Sequence, residues 1–294
     1  MESLKNKIDF AVVVKVKNAN PNGDPLNGNR PRTNYDGLGE LSDVCVKRKI
    51  RNRLIDNGFD IFVQSDDKRK DDYRSLRQRA EGVLKKETLK DEKKLREDAC
   101  KQWIDVRAFG QVFAFEGEKK EKKPKGQESG NDTKAEGKDS KGVSVGIRGP
   151  VSIHPAFSIN PVSITSEQIT KSVSGEGDGS KRGSDTMGTK HRVDFGVYAF
   201  YGSMNPQLAS LTGFSDNDAN AIKEALRTLF LNDESSARPA GSMEVVKLIW
   251  WKHNNNNGQY STAKVHRLLS VDPTTYEIKV DSLEGLECEQ IEGL

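Results

Sequence analysis

The chain has 294 residues, enough for one large domain or two small ones. Hydrophobic residues make up 34% and charged residues 31%, so a long solvated segment or a large polar interface dilutes the core. A net charge of +3 excludes a polycation, and any nucleic-acid binding must rest on charge arranged locally.

Ile8–Lys17 alternates, with Phe10, Val12, Val14 and Val16 on one face and Lys15 and Lys17 on the other, which predicts a half-buried strand. Asn18–Asn29 (NANPNGDPLNGN) stacks turn signals and can present amide donors without strain. Ser42–Asn57 predicts a helix with Ser42 as N-cap and Gly58 as its stop. Val46, Ile50 and Leu54 face a core, and Lys47, Arg48 and Arg51 fall on another flank. Gln64–Trp103 is charged and helix-rich, with Tyr73, Leu76, Val83, Leu84, Leu95 and Ala99 as sparse anchors, and predicts an inserted helical subdomain.

Glu116–Lys141 holds no aliphatic residue larger than Ala135 and predicts a disordered surface loop. Its eight lysines face seven acids, a poor balance for the main nucleic-acid site. Ile147–Thr165 is β-like, broken by His154-Pro155 and Asn160-Pro161. Ser172–Arg192 is a glycine-punctuated projection, and Val193–Tyr201 alternates as a strand. Ser215–Leu231 predicts a helix with a Ser215/Asp218 capping box and a face of Ala219, Ile222, Leu226 and Leu229. Met243–His253 is a nearly continuous apolar strand, and Tyr276–Val280 is a further strand candidate. Without its insertions the order is strand, helix, strand, strand, helix, strand. That is the α+β, ferredoxin-like or RRM-like βαββαβ unit.

Signals for catalysis are weak. Cys45, Cys100 and Cys288 are far apart and form no CxxC, which argues against a zinc site or a disulfide framework and fits a reducing cytoplasm. His154, His191, His253 and His266 form no HxxxH or HExxH pair. Gly175, Gly177 and Gly179 lack the GxxxxGK[ST] frame and read as an arm rather than a phosphate loop. Asp24 follows the first strand in a loop, but without a second carboxylate or a histidine beside it turn chemistry is the better reading. The expectation is no cofactor, no resident metal and no enzyme, with no signal peptide and no apolar run long enough for a membrane.

Signals for nucleic acid are stronger. Lys47, Arg48 and Arg51 lie in a cationic run with no acidic partner four residues on, and Arg30 and Arg32 precede it. Lys181, Arg182, Lys190, His191 and Arg192 flank Met187 on the glycine-rich projection. Met187 is either a wedge between bases or packed on its own domain or a neighbouring subunit. No RNP1-type octapeptide with interleaved aromatics occurs, which argues for sequence-independent backbone binding.

Seven blocks occur in order: Asn20–Pro25 (NPNGDP), Asn29–Thr33 (NRPRT), Asp43–Asn52 (DVCVKRKIRN), Asp105–Gly110 (DVRAFG), Gly146–Val151 (GIRGPV), Asp185–Gly196 (DTMGTKHRVDFG) and Arg238–Met243 (RPAGSM). Together they resemble the type I-C CRISPR Cascade backbone subunit of the RAMP superfamily. The resemblance implies a hand-shaped protein: an RRM-like palm over 1–58, 143–171 and 193–294 with its C-terminal tail, helical fingers over 59–115 and a thumb over 172–192, while the disordered loop over 116–142 carries no part of the resemblance. It implies a cytoplasmic guide-RNA (crRNA)-binding subunit whose copies stack head-to-tail and present the guide to target DNA in antiviral defence. Implied partners are a guide-processing subunit, a large PAM-reading subunit and a recruited helicase-nuclease. By motif position, Ser42, Lys47, Arg48 and Arg51 line the guide groove, Asn20, Arg30 and Arg32 come from the loop beside it, and Met187 is the thumb's candidate base wedge, supported by Lys190 and His191. The rival reading from the same superfamily is a metal-dependent RNA endonuclease using Asp24.

Overall fold

Valines 12, 13, 14 and 16 make the first strand a continuous β-branched run, and such side chains are stiff at χ1 and pack well on a pleated surface. The computed structural model describes residues 2–115, 143–173 and 187–294. In chain order, β1 (Ile8–Ala19) leads into a two-residue ladder of β2 (Gly23–Asp24) and β3 (Arg30–Pro31), then β4 (Leu38–Leu41) and α1 (Asp43–Asp56). Helices α2 (Leu76–Val83), α3 (Glu92–Gln102) and α4 (Ile104–Phe109) precede a hairpin of β5 (Gly110–Phe115) and β6 (Val143–Arg148). Then come β7 (Val151–Ile153), β8 (Ala156–Pro161), β9 (Ile164–Thr170) and the long β10 (Met187–Met204). The chain closes with α5 (Pro206–Thr212), α6 (Asp216–Arg227), β11 (Met243–Lys252), α7 (Thr262–His266), β12 (Leu269–Val271), β13 (Ile278–Val280) and β14 (Glu287–Glu292).

This is a mixed α+β fold around a central antiparallel sheet ordered β14-β11-β1-β10-β8-β4. Phe10, Val12, Val14 and Val16 point into a core with Val46, Ile50 and Leu54 of α1 and Ile222 and Leu226 of α6. Both helices therefore cover one face, as their apolar stripes predict. Ala11 and Val13 point the other way, against Val197, Ile249 and Trp251. Val265, Leu268, Leu269, Tyr276 and Ile278 of the C-terminal segment pack onto that second face. The expectation of a half-buried β1 is thus corrected: only Lys15, Lys17 and Asn18 near its end reach solvent. The last strand, β14, also extends the sheet beside β11.

The finger insertion has its own small core of Phe62, Ala80, Leu84, Leu95, Ala99, Trp103, Val106, Phe113, Val145 and Ile147. Leu76 and Val83, expected as anchors, are instead exposed. The β6 strand pairs with β5 and supplies Val145 and Ile147 to this core, so residues 143–148 pack with the preceding helices and not with the central sheet. The loop 116–142 lies outside the described residues. The projection also begins elsewhere than its glycines imply. Met187–Val193 pairs residue for residue with Ile164–Thr170, because the same strand that crosses the sheet continues outward as half of a hairpin. Gly175, Gly177, Gly179, Lys181 and Arg182 lie outside the described residues. Among the described residues no helix is long and apolar enough to cross a membrane.

One carboxylate ties the insertion to the sheet. Asp218 closes the predicted capping box, accepting from Ser215 N and Oγ at 2.9 Å each. It also takes a two-pronged hydrogen bond from Arg107 of α4, at 2.7 and 3.1 Å. Asp218→Ala removes a cap and leaves Arg107 half-buried without its counter-ion. The expected loss is about 3 kcal/mol, read as a lower urea midpoint with an unchanged transition slope.

Candidate nucleic-acid interface

The Asn- and Gly-rich loop after β1 depends on left-handed backbone. Asn18, Gly28 and Asn29 have φ of 52°, 57° and 59°, a region only Gly and, less often, Asn enter cheaply. A Cβ at Gly23 would lie 2.0 Å from Asn29 Oδ1, so any side chain there requires the Asn29 amide to move. Two asparagines tie the loop down. Asn22 Oδ1 accepts from Ser42 N and Ser42 Oγ, both at 2.9 Å, and joins the loop to the start of α1. Asn20 Nδ2 donates to the Asn29 carbonyl at 2.7 Å, and Asn20 N donates to the Ala237 carbonyl at 2.8 Å. Asn20 is only 4% exposed.

Ser42 is therefore a fastening point. Its Oγ also accepts from Cys45 N at 3.2 Å as the N-cap of α1. Asp24 is spent locally: Oδ1 accepts from Leu26 N at 3.2 Å and from Arg32 Nη2 at 3.3 Å. This is the turn chemistry the sequence favoured, and it commits Arg32 as well. Among the described residues no group of three His, Cys, Asp or Glu side chains is placed to hold a metal ion.

The cations of α1 divide in a way the sequence did not foresee. The expectation that Lys47, Arg48 and Arg51 lack acidic partners is corrected at each. Lys47 pairs with Asp43 one turn back, at 2.9 Å. Arg48 pairs with Asp67 at 3.0 Å, and both groups are largely exposed. Arg51 Nε donates to Asp105 Oδ2 at 3.0 Å, with side-chain exposures of 14% and 1%, and its guanidinium lies 5.1 Å over the Phe109 ring. Asp105 also accepts from the backbone N–H groups of Phe62 and Val63 at 2.7 and 3.0 Å. Arg51 thus fastens the insertion to α1 and is not free for a ligand. Lys49 and Arg53, both buried, hold Asp233 and Thr228. Burial pushes the Lys49 ammonium below its usual range, against the pull of Asp233. The thiols are similarly removed from chemistry: burial raises Cys45 and pushes Cys100 up to about 11.

A groove of about 240 Å³ opens between the loop and the β9–β10 hairpin. Asn20, Gly28, Asn29, Lys190, His191 and Ser236 are among the residues lining it. Three of the sequence-predicted residues thus meet there, and Arg30 reaches the same hairpin. Arg30 Nη1 donates to Ser166 Oγ at 3.1 Å, and Ser166 Oγ lies 2.8 Å from His191 Nδ1. The Ser166 hydroxyl thus links Arg30 to His191. Lys190 is exposed and has no partner among the described residues. Met187 is 66% exposed at the hairpin's outer end, touched by Gln168 Nε2 at 3.8 Å.

The family model for CRISPR-associated protein Cas7 matches residues 6–289. The chain belongs to the Cas7 family. A CRISPR-associated protein Cas7 of Haloferax volcanii is 26% identical over 275 residues, which span 92% of this chain and 77% of that protein. Two solved chains are also similar. One, from a CRISPR RNA-guided surveillance complex in a pre-nicking state, has 14% identity and a TM-score of 0.44, covering 83% of this chain and 78% of the other. The second, from a CRISPR RNA-guided surveillance complex, has 15% identity and a TM-score of 0.41, covering 83% and 68%.

For a Cas7-family chain the residues that sequence reasoning missed are the connectors. Asn22 joins loop to helix, Asp105 absorbs Arg51, and Ser166 links Arg30 to His191. Asn22 and Asp105 lie inside the seven blocks, but nothing in the spacing pairs them with residues 20 or 54 positions away. The two kinds of α1 cation respond differently to truncation. Arg51→Ala strands the buried Asp105 charge and is expected to cost about 3 kcal/mol in urea denaturation. Lys47→Ala removes a surface pair and costs less than about 1 kcal/mol.

Proposed function

We propose that this chain is a non-catalytic guide-RNA-coating backbone subunit of a type I-C surveillance complex. It holds the ribose-phosphate chain without reading bases. The observation that carries this reading is a groove bordered by Lys190 beside a sheet whose second face is largely covered. In ordinary RRM proteins RNA lies on the open sheet face and stacks on aromatics. Here Val265, Leu268 and Leu269 cover much of that face, with Phe157 and Phe195 left partly exposed on it, and the loop–hairpin groove, lined by Lys190 with Arg30 reaching the same hairpin, offers a cationic surface beside the sheet. Membership of the Cas7 family over residues 6–289 supports the same class of function.

The palm is RRM-like in this reading. The antiparallel order β11-β1-β10-β8 sets the first strand between the last and the third of a βαββαβ unit, with α1 and α6 together on one face. The fingers are the 59–115 insertion with β6, and the thumb is the β9–β10 hairpin with the segment beyond it. Within the groove, Lys190 and Arg30 meet phosphate. Lys47 and Arg48 on α1 are further phosphate contacts in this reading, since exposed pairs exchange an acid for a phosphate at little cost. Asn20, Ser42 and Arg32 shape the loop, Arg51 is structural, and Met187 is the residue of the hairpin suited to wedge between bases.

Sequence readout is delegated to pairing between guide and target DNA, so the protein's task is to pre-order the guide. Pre-ordering reduces the entropy lost when the target pairs. Copies associate head-to-tail, a heterologous contact that needs end subunits to stop it growing. Those ends are a guide-processing subunit and a large PAM-reading subunit, with a helicase-nuclease recruited to cut, all in the cytoplasm. Asp24 has a structural part in this reading, its Oδ1 holding Arg32 and the Leu26 N–H.

Arg30→Ala with Lys190→Ala is expected to weaken RNA binding equally for unrelated sequences. Each lost single-strand phosphate contact removes about 0.7 from the slope of log affinity against log salt, so the pair removes about 1.4. Fluorescence anisotropy across a potassium chloride series measures it. An unchanged slope places the guide elsewhere.

A further inference from the structure

One buried acceptor in the wall of the groove has no partner among the described residues. Asn20 Oδ1 is buried and accepts no hydrogen bond, although Asn20 is 4% exposed and lines the groove. The amide's orientation is settled by its other end. Nδ2 donates at 2.7 Å to the Asn29 carbonyl, a group that only accepts, so the oxygen is the end left over. A buried acceptor without a donor forfeits the hydrogen bonds it made to water. Such an atom calls for a donor from water or from a ligand, and this one belongs to a residue that lines a groove.

The missing group must be a donor, and a guide-coating subunit meets every sequence. Base amino groups vary from one nucleotide to the next. Phosphate and ring oxygens only accept. The 2′-hydroxyl is the one donor that every ribonucleotide carries and every deoxyribonucleotide lacks. We propose that Asn20 Oδ1 accepts a hydrogen bond from a guide ribose 2′-hydroxyl and so makes this groove select RNA over single-stranded DNA. The inference rests on the guide-coating reading. It gives Asn20 a second duty beside closing the loop, and it fits its neighbours. Lys190 borders the same groove with no partner among the described residues, so its side chain is free to swing aside and meet the phosphate next to that ribose. The Asn20 backbone is held by the Ala237 carbonyl at 2.8 Å, which keeps the acceptor in place as the ligand enters.

The test is anisotropy titration of the whole chain with three strands of one sequence: 2′-hydroxyl, 2′-fluoro and 2′-deoxy. The fluoro strand keeps the ribo-like sugar pucker but cannot donate, so comparing it with the hydroxyl strand isolates the donor. The unsubstituted chain is expected to bind the hydroxyl strand about fivefold more tightly than the fluoro strand, the scale of one net hydrogen bond. Asn20→Ala, checked for folding by its thermal transition, is expected to bind the two alike. Asn20→Asp still accepts and is expected to keep the preference while weakening the loop. Equal affinities in the unsubstituted chain, a comparison that depends on no variant folding, would overturn the inference, as would a preference that survives Asn20→Ala. Failure to bind any of the three strands in a salt-dependent way would instead remove the guide-coating reading itself.

Discussion

A single strand buried on both faces organises this molecule. Strand β1 sends Phe10, Val12, Val14 and Val16 to one side and Ala11 and Val13 to the other, and neither set reaches water. Two covers are therefore needed. Helices α1 and α6 supply one, and the segment from Tyr260 to Leu286 supplies the other. This packing covers β1 on both sides, and a groove opens instead at the end of the strand, where Asn18–Asn29 turns beside the outward half of β10.

The same packing sorts the cations. A run of five lysines and arginines on one helix looks from the sequence like a single electropositive surface. In the fold, Lys49, Arg51 and Arg53 are drawn beneath the surface and matched to Asp233, Asp105 and Asp56. Buried charges are tolerated only when paired, and breaking such a pair is costly. Those residues hold the insertion and the 233–243 loop against the helix. What remains for a polyanion lies at the margin, where Lys47 and Arg48 pair weakly in solvent and Lys190 is free of any described partner.

Membership of the Cas7 family and the local geometry address different questions. The family gives the class of activity over nearly the whole chain. The geometry distinguishes residues that support the groove from residues available to touch a ligand. Ser42 and Arg32 support it through Asn22 and Asp24. Arg30 and His191, coupled through Ser166, line the side where the hairpin departs. Asn20 belongs to both groups, since one end of its amide closes the loop and the other is unspent.

Local sequence determined the elements whose signals are local: the valine run of β1, the Ser42 cap and Val46/Ile50/Leu54 stripe of α1, the Ser215/Asp218 box of α6, and the left-handed loop implied by its asparagines and glycines. Each depends on residues within a few positions of one another, so pattern and spacing were enough. Only the tertiary structure decided that the C-terminal segment covers much of the sheet's second face, that β6 packs with the preceding helices, that Met187–Arg192 is strand, and that Arg51 is already matched to Asp105. Those outcomes depend on which distant carboxylate or apolar side chain comes within a few ångströms. A linear pattern of charge and hydropathy carries no information about that distance until the chain has closed its core.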